Sequence, residues 1–376
     1  MNINTLPPTP HPSSPEGVYL NTDHLSVEQD FQLSEVESDI SHTPRISIVV
    51  PVYNAGEYLR PCLDTLLNQT FRDIEIVCVL DCPTDGSDRV VEEYAAKDDR
   101  IVVIRNKHNL NIGETRNVGM RAAKGEYIGF SDHDDTRELD MYEKMYAATE
   151  HSQKKVVFSG KIVNLVLNNE ISKFLHNNDL CFYPIYQLTF FTIMTRFIGE
   201  KFIGRGHVTP NLYQRDYLRK YDITFVDTKQ CYAEDSLFNL SVLSHIQSDS
   251  EISNLQEVFY RFIVHGNNAH LSSWYSDYPH IIQHMHEMSV IIDSISWKDN
   301  NIELLKELLF VSMISFSYSW FIHNIKKEGL IRSYRLLKEY INSDIVCRKI
   351  VCDTKAPQFG LSVSKRMFAF WLRQVL

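Results

Sequence analysis

No C-x-x-C pair occurs among the seven cysteines: Cys78 and Cys82 are too far apart for one, as are Cys347 and Cys352, and the total is odd. Metal ribbons and a paired disulfide framework are disfavoured, and reduced, mostly buried thiols are expected. The N-terminus lacks the basic start and apolar run of a secretory signal, so cytoplasmic residence is expected. Long hydrophobic runs are missing too. The longest, about residues 308–322, contains Ser312, Ser315, Ser317 and Ser319 and falls short of the ~20 residues that cross a bilayer. A buried helix is predicted there. Basic excess is also absent: 38 Lys and Arg against 48 Asp and Glu give −10, which argues against general nucleic-acid binding.

That deficit is uneven. Residues 326–376 hold 11 Lys and Arg against 4 acids, or +7, and the remainder carries −17. With 376 residues, 44% hydrophobic and 23% charged, the chain lies in the ordinary globular range and is long enough for one large domain or two smaller ones.

Residues 1–44 are rich in Pro, Ser, Thr and acid with little period, and predict a flexible extension. Order is expected from "RISIVVPVYN", whose β-branched run reads as a buried strand, followed by a helix carrying Leu59, Leu63, Leu66 and Leu67. Strands are then predicted at 73–80, 100–106 and 126–131, and helices at 85–97 and 113–125. This alternation indicates an α/β fold with a parallel sheet covered on both faces. Ligands of such sheets gather at the carboxyl ends of the strands, here the loops "PVYN", "DCPTDGS", "NKHNLNIG" and "SDHDD". Residues 154–167 read as a strand or hairpin and 232–246 as a helix opening on an acidic pair. From about residue 276 the pattern is helical, with apolar periods at 281–295, 302–322, 330–341 and 363–376.

The run "EYIGFSDHDD" places Asp132, Asp134 and Asp135 directly after an apolar strand. It is either a solvated acidic turn or a seat for Mg²⁺ or Mn²⁺, because carboxylate oxygens suit hard divalent cations. Asp81 ends the second strand and could accept from a nucleobase or ribose, or cap its own loop. Arg116 lies early in a helix, where it could meet phosphate oxygens or simply face solvent. Tyr53 could stack on a base or pack locally. His133 is a spare ligand or, preferably, a solvent-facing residue. In "HIIQHMHEM", His280 and His284 share a helix face, but the HExxH order is absent and a helix surface or acceptor-facing wall is preferred. His265 is a candidate for acceptor or phosphate contact.

Taken in order, "ISIVVPVYNAGEYLRPCLDTLLNQTF", "EIVCVLDCPTDGS", "NIGETRNVGMRAAKGEYIGFSDHDD" and "YAEDSLFN" resemble the signatures of family 2 glycosyltransferases with the GT-A fold. The resemblance covers residues 45–150 closely and returns at 211–240. It implies a GT-A domain over 45–260, with a nucleotide-binding half (45–150) and an acceptor half (151–260), followed by a helical region, 261–376. It implies an inverting, nucleotide-sugar-dependent transfer with a UDP-sugar as the expected donor, of hexosyl or N-acetylhexosaminyl type. Pro51, Tyr53 and Asp81 would cradle the nucleoside, Asp132 would contact the donor's ribose or sugar, and Asp134 would be the ligand of the Mn²⁺ or Mg²⁺. Asp235 would be the general base and Glu234 its neighbour or substitute. The partner implied is a surface-glycan acceptor of lipopolysaccharide or capsule type, free or lipid-linked. Where relatives commonly carry "DDGS", this chain has Leu80, Asp81, Cys82 and Pro83, which bears on base or sugar preference.

Two other readings compete with this one. A nucleotidyltransferase would need a Gly-rich, Lys-bearing loop after the first strand, where "VPVYNAGEYL" stands instead. A catalytically silent nucleotide- or glycan-binding relative would have no reason to keep both "DHD" and "AED". Finally, "SVSKRMFAFWLRQVL" (362–376) mixes Lys365, Arg366 and Arg373 with large apolar residues. It is either an interfacial helix at the inner face of the membrane or a terminal helix packed on the core.

Overall fold

All seven residues of strand β2 (Ile46–Val52) are buried, as are all seven of β3 (Ile74–Leu80). A strand covered on both faces has no side free for polar alternation, which is why these segments read as continuous apolar runs. The computed structural model describes residues 31–33, 43–166, 207–229, 231, 234–264, 278–295, 301–354, 361 and 363–376. Within them, β2 and β3 pair in parallel with one another, and with β4 (Ile101–Asn106) and β5 (Tyr127–Phe130) they form a parallel block. Connecting them are helices α1 (Leu59–Leu67), α2 (Ser87–Ala95) and α3 (Asn111–Ala122).

Alternate residues of β2 divide the core. Ile46, Ile48, Val50 and Val52 pack with Leu59, Leu63 and Leu66 of α1 and Val91 of α2. Val49 packs on the opposite side with Val118 and Met120 of α3. Gly119 permits that approach, since a Cβ there would lie 2.3 Å from Val49 Cγ1.

The chain steps from β2 to β3 to β4 in one direction, and β5 then returns to the other side of β2. This reversal makes the carboxyl ends of β2 and β5 the switch point at which such sheets bind ligands. Beyond β5 the sheet becomes mixed. β8 (Asn211–Gln214) runs antiparallel to both β5 and β7 (Val156–Val166). β9 (Ile252–Val264) runs parallel to β7, and the two-residue β6 (Thr136–Arg137) is antiparallel to β9. Residues 154–167 thus contain one long strand, not a hairpin. β9 went unpredicted because register shifts around Ser159 to Ile162 of its partner break the alternation of "ISNLQEVFYRFIV". Inside the expected flexible extension, Phe31–Leu33 forms β1, paired antiparallel with β4.

After α4 (Met141–Ala147), α5 (Arg215–Lys220) and α6 (Glu234–Ser244), the C-terminal region is helical as expected, with α7 (Tyr278–Ser294), α8 (Asn301–Glu328), α9 (Leu330–Ser343), α10 (Ile345–Asp353) and α11 (Val363–Val375). α10 was not anticipated; Asp344 nucleates it by accepting from the Cys347 amide at 2.8 Å. The helix predicted at 308–322 extends to the 28 residues of α8, and its apolar window is 71% buried. Six cysteines among the described residues are free thiols. His265 lies outside the described residues.

Candidate active site

Pro51 explains where the β5 ladder stops. Ser131 N, just past β5, still donates to Val49 O at 3.0 Å. The next backbone group of β2 on that side would be the amide of Pro51, which has no hydrogen to donate. The chain therefore leaves the sheet as the turn 131–135, and His133 Nδ1 donates to the Pro51 carbonyl at 3.0 Å in place of a strand. His133 is thus a partly buried tether for the acidic turn. Pro51 itself is buried in β2, and Tyr53, 47% exposed two residues on, is the aromatic available at this strand end.

The three aspartates of the turn differ. Asp135 is fully buried and accepts from the Ile263 amide of β9 at 2.8 Å, while its other oxygen has no hydrogen-bond partner. Burial, then the charges of Asp134 and Asp132, push its carboxyl well above the usual range. Asp132 and Asp134 are only partly buried. The Asp132 amide donates to Tyr260 Oη at 3.2 Å, so β9 fixes both ends of the turn.

Helix α3 presents a run of buried polar residues, Thr115, Arg116 and Asn117, each with a separate task. Asn117 grips the backbone of Phe225 at both amide and carbonyl, 2.8 and 2.9 Å. The Phe225 ring in turn underlies the Arg116 guanidinium, whose centre lies 5.3 Å from the ring centroid. Held there, Arg116 bonds three carboxylates. Its Nη2 donates to Asp132 at 2.8 Å, and its Nη1 donates to Glu234 at 2.9 Å and Asp235 at 2.6 Å. Glu234 and Asp235 open α6, where acids are favoured by the unpaired amides of the first turn. Asp235 also accepts from the Val208 amide at 3.2 Å.

Arg116 was expected to meet phosphate oxygens. Its side chain is almost wholly buried and both terminal nitrogens are committed, so it links Asp132 to the acidic pair of α6. Asp81 was expected either to contact a nucleoside or to cap its loop. It is buried and accepts from Asn106 Nδ2, Leu110 N and Asn111 N at 2.8, 2.8 and 3.1 Å, which closes the amino end of α3. Cys82, standing where relatives commonly carry glycine, adopts φ of +59°, a left-handed conformation that costs an ordinary residue about 1–2 kcal/mol. His280 and His284 do not form a metal site: His280 Nε2 lies 2.7 Å from Lys229 O, and His284 is buried with Nδ1 3.9 Å from Cys231 Sγ.

The model of "Glycosyl transferase family 2" matches residues 47–221, the span that supplies the parallel block, the acidic turn and Arg116. Residues 47–221 are a family 2 glycosyltransferase domain. Over 205 residues the chain is 33% identical to EpsJ of Bacillus subtilis (strain 168), named an uncharacterized glycosyltransferase, covering 53% of this chain and 56% of that one. It is 39% identical over 121 residues to the poly(ribitol-phosphate) beta-glucosyltransferase of Bacillus spizizenii, covering 31% and 19%. The chain thus spans little more than half the length of EpsJ. Among solved structures, S. aureus TarS (1–349) in complex with UDP-GlcNAc matches with a TM-score of 0.58 and 20% identity, covering 83% of this chain and 82% of that one. That likeness speaks for the GT-A fold.

The electrostatics of the family 2 site follow from its charge count. One arginine faces three carboxylates, so repulsion is only partly offset. Burial and the neighbouring Asp235 raise Glu234 to about 7, with Arg116 pulling the other way. Burial also raises Asp132 above the usual carboxylate range against the pull of Arg116. Among the described residues no group of three His, Cys, Asp or Glu side chains forms a ready-made metal cage. Mg²⁺ and Mn²⁺ commonly take one or two carboxylates and complete their shell with phosphates and water. The partly exposed Asp134, the second acid of the turn, meets that requirement.

Proposed function

We propose that this chain is an inverting, metal-dependent glycosyltransferase that moves a hexosyl or N-acetylhexosaminyl group from a nucleotide sugar, with UDP as the nucleotide, to a growing bacterial surface glycan. One observation carries the reading. Arg116 gathers an acid from the turn after β5 and two acids from α6 into a single network at the switch point of the sheet. Transfer requires two chemically distinct sites, one for a diphosphate leaving group and one for an acceptor hydroxyl. The turn and the head of α6 are two such acidic sites.

In this reading Tyr53 lies against the base, and Asp81 holds the loop that faces the nucleoside. Asp132 orients the sugar or ribose, and Asp134 holds the cation. When bound, that cation offsets charge on the departing diphosphate. Asp235 accepts the acceptor hydroxyl proton as the hydroxyl oxygen bonds to the anomeric carbon and the bond to the diphosphate breaks. Attack from the side opposite the leaving group inverts the centre. Glu234 shares Arg116 with Asp235 and tunes its charge. The surface-glycan acceptor is supported by the relative named for poly(ribitol-phosphate) glucosylation. Its free thiols fit work in the reducing cytoplasm.

A thermal-shift screen of nucleotide sugars with and without Mn²⁺ tests the donor side, because a ligand bound only by the folded state raises its melting temperature. Stabilisation by a UDP-sugar that grows with Mn²⁺, and loses its Mn²⁺-dependent part in Asp134→Ala, is expected. Absence of stabilisation by every nucleotide sugar would overturn the reading.

A further inference from the structure

Helix α11 carries two apolar faces. Phe368, Ala369 and Leu372 are buried against the core. Val363, Met367 and Phe370 are 75%, 68% and 69% exposed, and their spacing of four and three residues places them on one stripe. The sequence offered core packing and an interfacial role as alternatives for this segment. The structure satisfies the first while leaving a second apolar face in solvent.

The stripe is not isolated. Trp371 joins three helices, its ring centroid lying 5.6 Å from Tyr334 of α9 and 5.6 Å from Phe321 of α8. Leu330 and Ile331 stand four and three residues before Tyr334, on its side of α9, and both are exposed. Ile322, next to Phe321, is exposed as well. Single exposed apolar residues are ordinary, but a group spread over three touching helices marks an interaction surface. Lys326 and Lys327 end α8 beside it, Arg332 and Arg335 lie on α9, and Arg366 lies within the stripe of α11, all exposed. This is the part of the chain that carries +7 while the rest carries −17.

We propose that this face docks on an anionic lipid bilayer, lying in the interface with Met367 and Phe370 among the acyl chains and the cations at the headgroups. Large apolar side chains with Lys and Arg around them are what such a surface selects. The charge asymmetry decides the occupant: an anionic bilayer attracts residues 326–376 and repels the remainder of the chain, which fixes the orientation. The apolar window of α8, long enough to cross a membrane, is 71% buried inside the fold. A lipid-linked acceptor would then reach the site from the same surface, a consequence that rests on the glycosyltransferase reading; docking itself does not.

Sedimentation of the full chain with vesicles tests it, with no sugar donor present. Binding to vesicles of phosphatidylglycerol and phosphatidylcholine, little binding to phosphatidylcholine alone, and weakening by salt are expected. Met367→Asp combined with Phe370→Asp should weaken binding roughly tenfold or more, since two acyl contacts become charges, with the melting temperature unchanged because both side chains lie outside the core. Lys326→Glu with Lys327→Glu should reduce binding to anionic vesicles. A wild-type chain that stays in the supernatant with anionic vesicles overturns the proposal, as does a Met367/Phe370 variant that sediments like wild type. Loss of self-association in that variant, without vesicle binding by wild type, assigns the face to a second copy and also overturns it.

Discussion

Arg116 Nη1 donates to Asp235 Oδ1 across 2.6 Å, although the two residues lie 119 positions apart. The contact joins α3 to the head of α6 and makes a buried arginine the counter-ion of the acidic cluster. Removing the cation while leaving the acids is costly, because half-buried carboxylates are then unopposed. Arg116→Met should destabilise the fold by about 3–5 kcal/mol in urea unfolding. Arg116→Lys should cost less, since a point charge offsets repulsion but cannot reach all three partners at once.

Glu234 gives the cluster a pH signature. Its folded pKa of about 7 lies above the ordinary 4.5, so the folded state holds the proton more tightly than the unfolded chain. The resulting stability is fully present below the ordinary pKa and is lost as pH rises through about 7. Metal-free protein should therefore lose about 3 kcal/mol between the two ends of that window. Glu234→Gln, which cannot ionise, should flatten the profile measured by denaturant titration at stepped pH. An equal slope in wild type and variant would assign the pH dependence elsewhere.

Asp135 separates acceptor geometry from charge. Its buried carboxyl is raised by burial and by Asp134 and Asp132, while one oxygen accepts from Ile263 N. A neutral group that keeps the acceptor should suffice. Asp135→Asn is expected to stay within about 1 kcal/mol of wild type, and Asp135→Ala, which leaves the Ile263 amide unsatisfied, to lose about 1–3 kcal/mol. Comparable losses in both variants would show that the negative charge itself is needed.

Much of the fold could be read because β2 and β3 are buried on both faces, which leaves an uninterrupted β-branched run. The acidic turn was legible because carboxylates at a strand's carboxyl end have few structural reasons to cluster. Arg116 was noticed, but not its partners: helix position gives no hint of Glu234 and Asp235 arriving from more than a hundred residues away. The tethering role of His133 was not legible because its acceptor exists only where Pro51 interrupts the ladder. β9 escaped because the irregular register with β7 shifts its alternation midway. Phe225, Tyr260 and Arg137 support the site and carry no spacing that marks them. Arg137, fully buried, donates to Ser131 Oγ at 2.6 Å beneath the turn.

Gly119 controls how closely α3, and with it Arg116, approaches the sheet. Its missing Cβ would sit 2.3 Å from Val49 Cγ1, a side chain locked in the central strand. Gly119→Ala should cost about 1–3 kcal/mol as an overpacked contact. Donor affinity should fall with it, read by titration calorimetry, because Asp132 is positioned through Arg116. Unchanged stability would mean that α3 can slide without cost.

The most direct test of the central claim is single-turnover transfer by Asp235→Asn with a donor identified by the thermal-shift screen. Asparagine keeps the shape and one of the two acceptor oxygens that meet Arg116 and Val208 but cannot take a proton. Donor affinity is expected to stay within a few-fold of wild type while the transfer rate falls by about 10²–10⁴. Wild-type turnover by the Asp235→Asn protein would contradict the account.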